Sequence, residues 1–192
     1  MTAAPQPSDH LWWLVSRASG LVALALVTLS VLLGLAMAGR LRRGPAAAGF
    51  RVSHEHLAIA ALVAIGVHGL SLLGDPWLHP GLSGISVPFA LGYRPVYTGL
   101  GVIAGYLTAL LALSFYIRRR IGVRTWRRLH RFTIGAYALA VVHALGAGTD
   151  ASLPAVRWAV LSSAAVVGVL LAYRVAAGRR SGPARVPAGT YS

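Results

Sequence analysis

The stretch HEHLAIAALVAIGVH, residues 54 to 68, is an apolar segment with a histidine at each end. It lies in a mostly apolar run, 53–73, whose length is close to the roughly 20 residues that an α-helix needs to cross a bilayer. A polar side chain inside the hydrocarbon region is costly and usually serves a function. This segment therefore bears on both the fold class and the position of a functional site.

Four further apolar runs accompany this segment. The chain is 56% hydrophobic and 11% charged, whereas soluble domains carry about 25% charged residues. The five runs occupy residues 11–38, 53–73, 95–117, 129–148 and 153–177. The sequence therefore predicts an all-α, polytopic transmembrane helical bundle with about five membrane-spanning helices. We expect a transmembrane domain over 11–177, an N-terminal tail over 1–10 and a disordered cytoplasmic tail over 178–192.

The arginines indicate how these segments are oriented. All 18 basic residues are arginine, and most of them follow the first, third and fifth segments, while three of the four acids fall on the other side. Cytoplasmic loops carry the arginine excess, so we expect the N-terminus outside and the C-terminus inside. Because the arginines sit between apolar runs, the charge of +14 does not indicate a nucleic-acid partner. The expected location is the cell (inner or plasma) membrane, where the lipid bilayer surrounds a multi-pass chain.

Four histidines occur in pairs on two of the segments. His54 and His68 are 14 residues apart, and His130 and His143 are 13 residues apart. At 1.5 Å per residue these spacings correspond to rises of about 21 Å and about 20 Å along a helix. The two segments run in the same direction in the predicted topology. Each imidazole on one segment therefore has a counterpart at the same depth on the other.

The helical angles leave two questions open. His54 and His68 lie within about 40° of a common face, whereas His130 and His143 miss a common face by about 140° in an ideal helix. His130 therefore needs a bulge, a bend or an irregular helix start. His56 lies about 120° from the face of His68 and is the weaker ligand candidate, although the choice between His54 and His56 stays open.

The available ligand types favour haem over other metal sites. The chain has no cysteine, which excludes thiolate haem ligation and iron–sulfur clusters. Zinc sites usually use three or four protein ligands, whereas two imidazoles facing each other from separate helices supply the two axial ligands of one haem. The alternative is that the histidines only form hydrogen bonds between helices.

Three stretches give the chain a resemblance to a known family. WRRLHRFTIGAYALAVVH (126–143), SRASGLVAL (16–24) and GLGVIAGYL (99–107) are similar to helices of the ferric reductase-like transmembrane domain. The resemblance implies two b-type haems stacked across the membrane. It implies an inner iron ligated by His54 and His130 and an outer iron ligated by His68 and His143.

Two arginines are candidate partners of the haem propionates. Arg131 directly follows His130, on the expected inner side. Arg17 lies about 9 Å into the first segment from the outer side, near the expected outer haem, and snorkelling to the interface is the alternative for it. Trp126 is expected to anchor its segment at the membrane interface.

The predicted function is electron transfer across the membrane through the two haems. The expected donor is a cytoplasmic flavoprotein reductase or a quinol, and an outside acceptor takes the electrons. No dinucleotide-binding fingerprint follows the last segment, so we expect the membrane component of an oxidoreductase without its own flavin or nicotinamide domain. The alternatives are a quinol-linked cytochrome b anchor subunit and a non-redox membrane scaffold with structural histidines.

Overall fold

The structure of the protein is a computed structural model that describes residues 10–38 and 47–180. Within these two ranges every regular element is a helix, which confirms the all-α prediction. The helices in chain order are α1 (Leu11–Ala38), α2 (Ala47–Ser71), α3 (Gly81–Ser86), α4 (Pro95–Leu113), α5 (Arg118–Ile121), α6 (Val123–Leu129), α7 (Thr133–Ala147) and α8 (Pro154–Arg180).

Some predictions fall partly or wholly beyond these ranges. The N-terminal tail up to residue 9 and the chain after residue 180 lie outside the described residues, as do Arg40, Arg42 and Arg43 of the first predicted inner loop. The predicted disordered tail begins at 178, but α8 continues through Arg180. The last helix therefore extends three residues beyond the predicted boundary at 177.

Four helices in the described part of the chain are long and apolar enough to cross a membrane. They are α1, α2 with its 3₁₀ extension to Gly74, α4 and α8. A proline opens α4 and another opens α8, in the first turn where the missing N–H has no helical partner to lose. The multi-pass character of the chain is confirmed, and the inside–outside orientation stays a prediction.

The fourth predicted segment accounts for the difference between about five predicted spans and the four found. Its residues form α6, then a 3₁₀ turn at His130–Phe132, then α7. Because the turn divides the segment, the longest α-helix in it has 15 residues, fewer than the roughly 20 that a span requires. The pattern of apolar residues predicted the segment but not its division.

Four helices pack as two pairs, and α8 joins the two pairs. α1 packs mainly on α2, α4 packs mainly on α7, and α8 closes the bundle against α1 and α7. Val31, Tyr137 and Val167, from α1, α7 and α8, form the best-buried apolar cluster. By contrast, α2 and α7 make little direct contact, so side chains rather than backbone face each other between these two helices.

Large apolar side chains are exposed on the surface of the bundle. Val63 on α2 is 62% exposed and Leu110 on α4 is 67% exposed, as expected for side chains that face lipid. The connection between α2 and α4 begins with a turn that is stabilised by local hydrogen bonds. Asp75 Oδ1 accepts from the backbone N–H groups of Trp77 (2.8 Å) and Leu78 (3.1 Å), which fixes the turn that follows α2.

Candidate functional site

Two pairs of imidazoles lie at two levels between α2 and α7. The ring centroids of His54 and His130 are 6.1 Å apart with an interplanar angle of 87°. Those of His68 and His143 are 6.0 Å apart with an angle of 72°. The structure thus brings together the same two pairs that the spacing along the sequence predicts. His56 is exposed, so of the two inner candidates it is His54 that faces His130.

The separation within each pair fits two imidazoles on opposite sides of one metal ion. An imidazole nitrogen binds a first-row metal at about 2 Å, and the ring centre lies about 1.1 Å behind that nitrogen. Two such ligands in line place their ring centres about 6 Å apart, which matches both pairs. In the described ranges no group of three or more His, Cys, Asp or Glu residues is arranged so that it could hold a metal ion, so each level offers two imidazole ligands.

The hydrogen bonds of the outer pair define which nitrogen is free. His68 Nδ1 lies 2.8 Å from the main-chain oxygen of Ser16 in α1, and His143 Nδ1 lies 2.9 Å from that of Tyr97 in α4. A carbonyl oxygen only accepts, so each Nδ1 carries the proton and donates it. In the neutral ring the lone pair is then on Nε2, the nitrogen available to a metal. A hydrogen bond to the nitrogen that does not bind the metal fixes the orientation of a ligand imidazole and strengthens electron donation from the other nitrogen.

The inner pair is not equivalent to the outer pair. His54 Nδ1 donates to the main-chain oxygen of Ser30 at 2.9 Å. His130 Nδ1 is buried and has no hydrogen-bond partner among the residues 10–38 and 47–180 that the structure describes. Instead, the ring of Trp126 stacks on His130, with centroids 5.0 Å apart and an interplanar angle of 26°. Trp126, predicted as an interfacial anchor, is therefore in direct contact with the inner pair.

The start of the second histidine helix resolves the angular misfit. His130 begins the 3₁₀ turn that precedes α7, which is the irregular helix start considered above. A 3₁₀ turn rotates about 120° per residue instead of about 100°, so three residues recover about 60° of the difference. The rings of His130 and His143 both reach their partners on α2.

Two residues of α1 were missed by the sequence reasoning, although the sequence holds a signal for them. Ser16 and Ser30 are 14 residues apart, the same interval as His68 and His54, and their carbonyls accept from those two rings. Each serine hydroxyl also lies 3.1 Å from the same Nδ1. A carbonyl oxygen has no sequence signature. The two stretches SRASG (16–20) and SVLLG (30–34), however, repeat a serine followed four residues later by a glycine.

Glycines give the rings room against the flanking helices. A Cβ at Gly20 would lie 2.9 Å from His68 Nδ1, and one at Gly34 would lie 3.3 Å from His54 Cε1. A Cβ at Gly101 in α4 would collide with the ring of His143. At these positions the absence of a side chain allows an imidazole to lie directly on the backbone of its neighbour.

Arg17 and Arg131, the predicted propionate partners, differ in their surroundings. Arg17 forms an ion pair with the buried Asp150, with Nε 2.9 Å from Oδ2, and its guanidinium lies 4.0 Å from the ring centre of Trp13. Arg131 is exposed on the 3₁₀ turn beside His130. The roles of both arginines toward a haem stay predictions.

Glu55, next to the inner pair, also has a partner. Tyr116, after α4, donates a hydrogen bond of 2.9 Å to Glu55 Oε1. This bond raises the pKa of the Tyr116 hydroxyl above its ordinary value, because the proton is held by the carboxylate. The contact joins the start of α2 to the chain that leaves α4.

An open pocket lies beside His143, at the end of the bundle that is predicted to face outside. Arg94, Pro95, Val96, Tyr97 and Gly146 line a space of about 260 Å³. Arg94 has a left-handed backbone (φ 42°) and its guanidinium donates to the main-chain oxygen of Gly146. The pocket reaches the same Tyr97 whose carbonyl accepts from His143.

Comparison with known proteins identifies the family. No curated protein matches the chain, and no solved structure matches it. A family model described as "Ferric reductase like transmembrane component" matches residues 19–141. This range contains three of the four paired histidines and ends two residues before His143. Since the match spans more than half of the chain, the protein belongs to the ferric reductase like transmembrane component family and is a multi-pass membrane protein.

Proposed function

We propose that the protein is a membrane b-type cytochrome that carries electrons across the bilayer through two haems. The inner haem is ligated by His54 and His130 and the outer haem by His68 and His143. The observation that supports this proposal most is the equal separation of the two imidazole pairs, 6.1 Å and 6.0 Å. Haem, when bound, supplies one-electron chemistry.

The protein's own residues hold and orient the ligands. The carbonyls of Ser16, Ser30 and Tyr97 fix three rings with Nε2 pointing away from the flanking helix. Because α2 and α7 make sparse contact with each other, their backbones stay apart at the level of the paired rings. This separation suits a flat macrocycle. A scaffold whose histidines served only to join helices would not need two imidazoles to face each other at each of two levels.

The direction of transfer follows from the distribution of charge. Arginines of α5, α6 and the following turn lie close to His130 in sequence, and cytoplasmic loops carry the arginine excess. The inner level then faces the cytoplasm, the proposed donor is a cytoplasmic flavoprotein reductase or a quinol, and the proposed acceptor lies outside. Arg131 at the inner level and Arg17 at the outer level are the proposed propionate partners, with Asp150 competing for Arg17.

Spectroscopy of the purified, haem-replete protein tests this function. We expect a b-type band in the reduced-minus-oxidised spectrum. In liposomes we expect reduction of a trapped, membrane-impermeant ferric acceptor by an impermeant reductant on the other side. His68→Ala abolishes the transfer, and His79→Ala, in the outer connection, leaves it unchanged. Absence of the b-type band refutes the redox proposal.

Two further outcomes separate the alternatives. A b-type band without transfer across the membrane supports a quinol-linked anchor subunit, and direct reduction by quinol in the absence of a flavoprotein supports it further. A protein that folds and stays helical but binds no haem supports a non-redox scaffold.

A further inference from the structure

The four paired imidazoles do not have equivalent surroundings. Nδ1 of His54, His68 and His143 lies 2.8 to 2.9 Å from a main-chain carbonyl oxygen. Nδ1 of His130 is buried and has no partner in the described part of the chain. Three rings are therefore held by a hydrogen bond to the backbone, and one is not.

Trp126 is the close neighbour that His130 has instead. The indole stacks on the imidazole at 5.0 Å and 26°, and its own Nε1 is buried and finds no partner among the described residues. Trp126 also contacts the ring of Phe115, with centroids 6.0 Å apart. His130 thus lies in an aromatic environment that offers no acceptor to Nδ1.

The missing hydrogen bond weakens electron donation from His130. A carbonyl that accepts from Nδ1–H pushes electron density toward Nε2 and makes the imidazole a stronger ligand. A stronger donor stabilises the oxidised iron and lowers its reduction potential, because second-shell hydrogen bonding is one of the protein's levers on a haem. Both ligands of the outer level have this bond, and only His54 has it at the inner level.

The charges around the two levels act in the same direction. Arg127, Arg128 and Arg131 are exposed close to His130 in sequence, and Glu55, next to His54, offsets only part of their positive charge. At the outer level the charge of Arg17 is compensated by Asp150. Net positive charge favours the reduced, less positive iron, so it raises the potential of the inner level relative to the outer.

We propose that the haem held by His54 and His130 has the higher midpoint potential of the two, and that Trp126 is a positioning residue that sets this difference. The inference rests on the proposed function, because it concerns two haems bound at these pairs. The first electron taken up by the protein then resides at the inner level. Transfer to the outer level is favourable overall only when the outside acceptor removes the electron from it.

Redox titration of the full-length, haem-loaded protein in lipid nanodiscs tests the order of potentials. His143→Ala retains only the inner haem, and His130→Ala retains only the outer haem. We expect a higher midpoint potential in His143→Ala than in His130→Ala. Equal potentials, or the reverse order, overturn the inference.

A second pair of variants tests the role of Trp126. Trp126→Leu removes the stacked ring and lets water reach His130 Nδ1, so we expect the inner potential to shift downward while the outer potential stays unchanged. Trp158→Leu is the matched control, because Trp158 is 69% exposed on α8. We expect this variant to leave both midpoint potentials unchanged. An inner potential that does not move in Trp126→Leu with both haems retained refutes the role of Trp126.

A measurement on the unmodified protein covers the case in which the variants do not fold. In the fully reduced state, low-spin ferrous haem is diamagnetic, and ¹⁵N-histidine NMR distinguishes Nδ1–H groups that are hydrogen-bonded to carbonyls from those that are not. We expect three bonded ligand signals and one unbonded, and four equal signals contradict the inference. A wild type without haem refutes the proposed function itself, whereas two haems of equal potential refute only this inference.

Discussion

At the scale of the residue, Gly20, Gly34 and Gly101 are positions where one added carbon meets a paired imidazole. The added Cβ comes closest to His143 at Gly101, next closest to His68 at Gly20 (2.9 Å) and least close to His54 at Gly34 (3.3 Å). Contacts under about 3 Å force a neighbour to move, and a ring held by a backbone hydrogen bond has little freedom to do so. These glycines therefore provide a graded test of ring placement.

We expect alanine at these glycines to reduce haem content in the order of their contacts. Gly101→Ala and Gly20→Ala should lose the outer haem and keep the inner one, and Gly34→Ala should have a small effect on the inner haem. Gly135→Ala on α7 is the control, since nothing lies within 4 Å of its Cβ, and alanine there gains up to about 1 kcal/mol of helix propensity. Haem-to-protein ratios measure the outcome, and equal losses at all four positions would contradict the ring placement.

Sequence reasoning at this scale could find the side chains but not their main-chain partners. The four histidines are visible because a polar residue in an apolar run is conspicuous. The acceptors at Ser16, Ser30 and Tyr97 are carbonyl oxygens, which every residue carries. The interval of 14 residues between the two serines was available in the sequence, but only the structure gives it meaning.

At the scale of the element, one ion pair joins the first helix to the turn between the last two. Arg17 on α1 pairs with Asp150 in the 3₁₀ turn Thr149–Ser152, and their side chains are 29% and 12% exposed. A hydrogen-bonded charge pair with this degree of burial contributes about 1.5–3 kcal/mol. The contact competes with the predicted pairing of Arg17 with a haem propionate.

We expect Asp150→Asn to lower the thermal stability of the detergent-solubilised protein and to leave haem content unchanged. Arg17→Gln should cause a similar loss of thermal stability and also lower the content of the outer haem, whose propionate Arg17 is proposed to bind. The double variant should lose little more stability than either single one, because the two substitutions remove one shared interaction. Circular dichroism on heating measures the stability. If instead Asp150→Asn is neutral and Arg17→Gln loses the outer haem, the propionate rather than Asp150 is the main partner of Arg17.

The division of the fourth segment also belongs to this scale. Apolar periodicity predicted one helix from about 129, whereas the structure has α6, a 3₁₀ turn and α7. The angular misfit between His130 and His143 indicated an irregularity at this place. What the sequence did not reveal is its kind, because a 3₁₀ turn and a bend need no distinctive residues here.

At the scale of the whole molecule, the distribution of charge predicts which end of the bundle faces the cytoplasm. The composition and the apolar runs were enough to predict a helical membrane bundle, and the four long helices confirm it. The positive-inside rule adds the orientation. Orientation cannot be read from packing, since the helices would pack identically in either direction across the bilayer.

Cysteine accessibility tests the orientation, because the chain contains no cysteine of its own. Leu82→Cys on α3 is at a site that is 72% exposed, and Thr125→Cys is at an exposed site on α6. In intact cells we expect a membrane-impermeant maleimide to label the first variant and to label the second only after permeabilisation. The reverse pattern would invert the predicted topology and with it the direction of electron transfer.

The most direct test of the account is the number of haems per chain, measured by pyridine haemochrome against protein concentration in the wild type and in single variants. The account predicts two b-type haems in the wild type, one in each of His54→Ala, His68→Ala, His130→Ala and His143→Ala, and two in His56→Ala. A wild type that binds no haem would contradict it. So would His68→Ala and His143→Ala proteins that both retain two haems.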